Sequence, residues 1–254
     1  MNPTSISISN HKGGVGKTTT AMNLAAFMSR SGMNVLLVDC DAQGNLTTLN
    51  GLPTKMEGRT EGRTIFDALA ENKNLPIIHV GDHLDIVPSD IRLSNIEAQM
   101  VGVKGRVLRL ASLLKPFRDR YDVIILDCPP FLGVGNNSAL VASDYVIVPM
   151  EASLLSVKGL QVIDDTINAA HSANPNLRLG GIAITRYRNT RDQRSVMNEI
   201  RERYPGQLFD TVIRETTSIS AAQLARKDIF TYDAHCIGAV DYGKLAMEII
   251  TKLI

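Results

Sequence analysis

The stretch Ser7-Ile8-Ser9-Asn10-His11-Lys12-Gly13-Gly14-Val15-Gly16-Lys17-Thr18-Thr19-Thr20 decides how this chain is read. Ile6 and Ile8 alternate with small polar residues, as in a strand, and the run stops at a cluster of glycines. A helical pattern begins directly after Lys17-Thr18-Thr19. Strand, glycine loop, then helix is the order a phosphate-binding loop requires. The glycines let backbone N–H groups aim at phosphate oxygens, and the helix N-terminus adds positive partial charge. Lys17 is expected to reach the outer phosphates and the Thr18 hydroxyl to ligand Mg²⁺, with Gly13, Gly14, Val15, Gly16 and Thr19 completing the nucleotide loop. The general pattern G-x-x-x-x-G-K-[ST] fails at one point, because His11 stands where its first glycine belongs. A second lysine, Lys12, precedes Gly13-Gly14 instead.

Outward from the loop, Ala21, Leu24, Ala25 and Met28 recur at helical spacing, and Gly32 ends that helix near Ser31. Asn34 to Asp39 reads as a strand buried on both faces, which closes one right-handed βαβ unit. It runs into Asp39-Cys40-Asp41-Ala42-Gln43-Gly44-Asn45. Carboxylates at the carboxyl end of such a strand face the crevice where ligands of open α/β sheets bind. Asp41 is expected to orient or polarise an attacking water and to hold Mg²⁺ through water. Asp39 is expected to support the loop and the metal's water shell. Tyr121 to Asp127 is a further buried strand, and its terminal Asp127 can hold Mg²⁺ through water opposite Thr18.

The remaining strands are expected at Val146–Pro149, Leu179–Thr185 and Phe209–Ile213, with a hairpin formed by Ile77–Val80 and Leu84–Val87. Helices are expected at Ile65–Glu71 behind a Thr64 cap, at Leu154–Ala170, and in the segments carrying Arg201 and Arg203 and Ala221 to Leu224. The closing helix carries a core-packing stripe from Tyr242 to Leu253. Ile91 to Leu114 reads as helix, broken at Gly102 or Gly105 and closed by Pro116. Residues 50–63 read as a mobile surface segment, and Phe131 to Gly135 as a switch sensitive to the γ-phosphate. Together these elements describe an α/β fold in one domain, 1–254: a single doubly wound, mostly parallel β-sheet with helices on both faces.

A chain of 254 residues with 44% hydrophobic and 21% charged residues has the composition of an ordinary globular protein. The formal net charge of +1 gives no global attraction for nucleic acid, so any such binding must come from a local patch or from dimerisation that aligns two patches. Three separated cysteines make no CxxC and fit a reducing compartment. The chain enters its first strand without a leader pattern, so a cytoplasmic location is expected. His79 and His83 sit in the hairpin without a third ligand, which argues against zinc. The most basic stretch contains Arg186, Arg188, Arg191 and Arg194. It is either a solvated face with Asp192, Glu199 and Glu202 as counter-ions or a non-specific phosphate-backbone contact. Arg214, Arg226 and Lys227 are further candidates for the same role.

KGGVGKTT with its early lysine resembles the deviant phosphate loop of the ParA/MinD ATPase superfamily. DxDxQGN and Asp127-Cys128-Pro129-Pro130 match that family's following motifs in order. The resemblance covers nearly the whole chain and implies a ParA/Soj-type partition ATPase of the short kind, without an N-terminal helix-turn-helix domain. It further implies ATP and Mg²⁺ as cofactors and a homodimer that sandwiches two ATP molecules, with Lys12 of each subunit acting on the other's phosphates. Implied partners are non-specific DNA, hence a nucleoid-associated location, and a ParB-type centromere-binding protein that stimulates hydrolysis. After the strand ending near Ile213, the family segment packs on the adenine. Here that segment has no Pro-Arg-Asn, and Ser218 stands where relatives carry a DNA-contacting arginine. A MinD-like membrane-positioning ATPase is the alternative; it predicts an amphipathic basic tail beyond the last helix. An iron protein sharing the loop would need paired cluster cysteines, and Cys128 has no companion.

Overall fold

The computed structural model describes residues 3–52, 63–131 and 133–254. From β1 (Thr4–Ile8) the chain passes through the glycine loop into α1 (Lys17–Arg30), then β2 (Val35–Asp39), α2 (Asn45–Leu49) and α3 (Ile65–Glu71). The hairpin β3 (Ile78–Gly81) and β4 (Leu84–Val87) follows, then α4 (Ile96–Gln99), α5 (Arg109–Leu114), β5 (Val123–Asp127) and α6 (Val134–Val141). The second half is β6 (Tyr145–Glu151), α7 (Leu154–Ala170), β7 (Arg178–Tyr187), α8 (Arg191–Arg203) and β8 (Leu208–Arg214). The helices α9 (Thr217–Leu224), α10 (Ile229–Asp233) and α11 (Ile237–Leu253) close the chain. The strands form one sheet in the order β3-β4-β2-β5-β1-β6-β7-β8, in which only the β3–β4 pair is antiparallel.

Helices cover both faces because the central strands are apolar on both. Val35 and Leu37 of β2 pack with α1, α10 and α11, whereas Leu36 and Val38 of the same strand pack with α3, α5 and α6. On the β6–β7 side the second face is closed by α7 and α8 through Leu160, Ile163, Val196 and Ile200. β1 differs: its Ile6 and Ile8 enter the first core, while Ser5, Ser7 and Ser9 point the other way into hydrogen bonds. Ser7 meets Ser143, and Ser9 donates to Asn136 of α6.

Between β6 and β7 the register slips by one residue, pairing Val146 with Leu179 but Ile147 with Gly181. Gly180 is the extra residue, and an ideal Cβ on Gly181 would stand 2.5 Å from the Phe209 ring. Among the described residues, β8 at the outer edge has no strand beyond it. Its N–H groups go to carboxylates of α11: Glu248 accepts from Asp210 and Thr211 at 2.9 and 3.1 Å, and Asp241 accepts from Arg214 at 3.0 Å.

The expected helix over Ile91–Leu114 is corrected into pieces. A 3-10 turn (Ile91–Asn95), α4, a second 3-10 turn (Arg106–Leu108) and α5 replace it, with positive φ at both Gly102 and Gly105. Pro116 does not end the run; it opens another 3-10 turn, Lys115–Arg120, where its missing N–H is no loss. Three short helices, α2, α6 and α10, lie where no helix is expected from the sequence. α2 and α6 are rich in Asn, Ser, Thr and Gly, and α10 consists of β-branched and aromatic residues and an Asp, all weak helix formers, so outside contacts hold them. Asp39 grips Thr47 in α2, Glu97 accepts from Val134 N at the start of α6, and Asp228 caps α10. Of the segment expected to be mobile, residues 53–62 lie outside the described residues, as does residue 132 of the expected switch.

Candidate functional site

The parallel register brings the sequence motifs to one level. Asp127 pairs with Ile8, the last residue before the glycine loop, and with Asp39 at the end of β2. The loop turns through positive φ at Gly14 (75°) and Gly16 (87°), and Gly16 is the N-cap of α1. Two side chains brace it from outside. Thr185 at the end of β7 donates to Val15 O (3.0 Å), and His11 meets Thr166 of α7 at 3.3 Å. The histidine in place of the first glycine thus ties the loop to a helix, and burial lowers its pKa.

The loop floors a cleft of about 810 Å³ lined by residues 13–19, Asp41, Pro130, the Ile213–Thr216 segment and Gln223. That is a volume suited to a nucleotide-sized ligand. Lys17 is buried, and its ammonium donates to Lys12 O at 3.1 Å. Burial pushes its pKa down while Asp127 and Asp41 draw it back up. Lys12 lies outside the cleft lining: its ammonium is half-exposed, 3.9 Å from Glu151.

The three carboxylates differ in what they have left to offer. Asp39 is fully buried and accepts from Thr47 N (2.9 Å), Thr47 Oγ1 (2.7 Å) and Asp41 N (3.1 Å). Burial raises its pKa to about 6 against those bonds. It supports the loop, but its oxygens are already engaged. Asp41 lines the cleft, and its Oδ1 accepts from Gln43 N (3.0 Å). Asp127 is 1% exposed, and neither carboxylate oxygen has a hydrogen-bond partner. Burial and then the nearby Asp39 raise its pKa, while Thr18 and Lys17 pull it down. A buried carboxylate without a well-formed hydrogen bond is costly unless a cation completes it, and with the Thr18 hydroxyl beside it the ligand set is all oxygen, as Mg²⁺ requires.

An AAA domain family model matches residues 3–179. The chromosome partitioning protein ParA of Caulobacter vibrioides is 35% identical over 97% of this chain and 94% of its own. The chain belongs to the ParA family of ATPases. A putative plasmid partition protein from Borrelia burgdorferi bound to AMPPNP superimposes on the ParA-type fold with a TM-score of 0.83 at 28% identity, covering 99% of this chain and 100% of that one. A cobyrinic acid a,c-diamide synthase from Mycobacterium smegmatis with bound ATP analog and magnesium gives 0.82 at 28% identity, over 96% and 93% of the two chains.

The arginines singled out as DNA contacts do not share one role in this ParA-type chain. Arg186 and Arg214 line the nucleotide cleft, the first paired with Glu151 and the second gripping Asp241 at 2.9 and 2.6 Å. Arg188 is paired with Glu215, and Arg194 donates to Asn189. Arg191 opens α8 on its exposed side. Arg226 and Lys227 line a different groove, beside the end of α1 and the β3–β4 hairpin. Sequence reasoning missed Thr185 and Gln223. The first could have been found from its place at the carboxyl end of a parallel strand; nothing in the sequence marks the second.

Proposed function

We propose that this chain is an ATP-driven DNA-partition ATPase. Two subunits close over two Mg-ATP molecules, bind DNA without sequence preference, and part after hydrolysis stimulated by a ParB-type partner. The observation that carries the reading is the pair of unpartnered, buried Asp127 oxygens beside Thr18, next to a glycine loop whose lysine is itself buried. ATP and Mg²⁺ are the ligands that such a cation hole and phosphate cradle suit. The Thr18 hydroxyl would hold Mg²⁺ directly, and Asp127 and Asp41 through water. When bound, the ion neutralises charge on the phosphates.

The protein's own groups do the rest. Lys17 and the N–H groups of residues 13–19 hold the phosphates, and Asp41, which lines the cleft, orients the attacking water. Asp39 fixes the Asp41 backbone. Lys12, outside its own cleft, is the cation offered to the other subunit, so charge neutralisation depends on pairing. For DNA, Arg191, Arg194 and Lys227 are the better-placed cations, because Arg186, Arg188 and Arg214 are held by carboxylates. Their contact would be cytoplasmic, non-specific and steeply salt-dependent.

An Asp41→Ala variant with Mg-ATP should show dimer mass by light scattering and ATP-dependent, salt-sensitive retention on DNA. Lys12→Ala should bind ATP as a monomer yet fail to pair, whereas Lys17→Ala should lose nucleotide itself. A chain that stays monomeric with Mg-ATP, or that sediments with anionic vesicles in place of DNA, overturns the reading.

A further inference from the structure

Thr19 and Gln223 are separated by 204 positions in the sequence yet meet in the nucleotide cleft, where Gln223 Nε2 donates to Thr19 Oγ1 at 2.6 Å. Thr19 is in the first turn of α1, directly behind Lys17-Thr18, and is nearly buried. A hydroxyl has one proton and two lone pairs. With a lone pair of Oγ1 taken by the Gln223 amide, the Thr19 proton is free to donate elsewhere, and the group it faces is the cleft. That polarity matters at the positive end of a helix: an acceptor presented to a phosphate would repel it, whereas a donor adds to the α1 N–H groups.

The pair is held from behind. Asn23, one turn further along α1, donates to Thr19 O (2.8 Å) and accepts from Ile229 N (2.8 Å), so both ends of the Gln223–Ile229 turn are pinned to α1. Phe27 and Arg30 continue the same face of the helix, against Phe230 and against Asp228 and Thr231. Gln223 is therefore carried on a segment docked along the phosphate-binding helix, with its rotamer set by that docking.

We infer that Gln223 is a positioning residue of the nucleotide site, orienting the Thr19 hydroxyl to donate to a nucleotide phosphate. This rests on the nucleotide reading above and adds a residue to it. The role is carried by the amide's donor, so Gln223→Met removes it at similar length and Gln223→Glu reverses it, drawing the Thr19 proton away from the cleft.

The test is a double-mutant cycle on affinity, with ATP and adenosine titrated separately against folded variants checked by thermal melting. Gln223→Met and Thr19→Val should each weaken ATP about three- to tenfold, the range for one hydrogen bond. Adenosine should be unaffected, and the double variant should be no weaker than Thr19→Val alone. Gln223→Glu should weaken ATP more than Gln223→Met does, and this excess should shrink in a Thr19→Val background. Equal losses for ATP and adenosine, or fully additive losses in the double variant, would overturn the inference. Absence of ATP binding by the unaltered chain would sink the nucleotide reading instead.

Discussion

At the scale of single residues, the site is a set of groups placed at a cost to the empty protein. Asp127 has no well-formed hydrogen bond, only the Thr18 hydroxyl beside it, and burial pushes the Asp39 pKa up to about 6 from the ordinary 3.8. Both pKa values are raised by burial, so the folded chain binds more protons than the unfolded one across that window, and stability falls as pH rises through it. The nucleotide-free protein should therefore melt at a higher temperature near pH 5 than near pH 7.5. Asp127→Asn should narrow that difference and stabilise the empty protein at pH 7.5 by about 1–2 kcal/mol, while removing the Mg²⁺ dependence of nucleotide binding. If Asp127→Asn melted lower than the parent at pH 7.5, the Thr18 hydroxyl and Lys17 would be stabilising the carboxylate by more than burial penalises it. The loop residues were legible because their types are dictated locally by backbone geometry and phosphate chemistry. The engagement of Asp39 was not, since it depends on Thr47 folding back from α2.

At the scale of elements, the strands and long helices follow from periodicity, and α7 matches its expected bounds, Leu154–Ala170. What escaped were pieces whose stability is borrowed, such as α6, whose polar first turn relies on Glu97 and on Ser9 just past β1. The bulge at Gly180–Gly181 is another such feature, because a glycine pair inside a strand pattern does not say which residue slips. Gly181→Ala would drive a methyl group into the Phe209 ring, at the 2.5 Å approach noted above. The overpacking should cost about 1–3 kcal/mol, lowering Tm by several degrees with little change in nucleotide affinity. A melt indistinguishable from the parent would mean that β8 and α11 shift to accept it, and that the bulge is not what seats them.

For the molecule as a whole, a net charge of +1 offers little electrostatic protection against association, and among the described residues β8 is an edge strand of the sheet. Glu248 and Asp241 occupy the N–H groups that another strand would use. Glu248→Ala should raise nucleotide-independent self-association, seen by light scattering as mass that grows with protein concentration. An unchanged mass in the absence of ATP would show that the edge does not depend on Glu248 for its protection. On the pairing proposed above, the bond from the Lys17 ammonium to the carbonyl of residue 12 would also order events. Through it one lysine tethers the stem of the other. A triphosphate that drew the Lys17 protons inward would slacken that stem and let the outer lysine extend toward a neighbour. A subunit would then become a competent mate only after it had been fuelled.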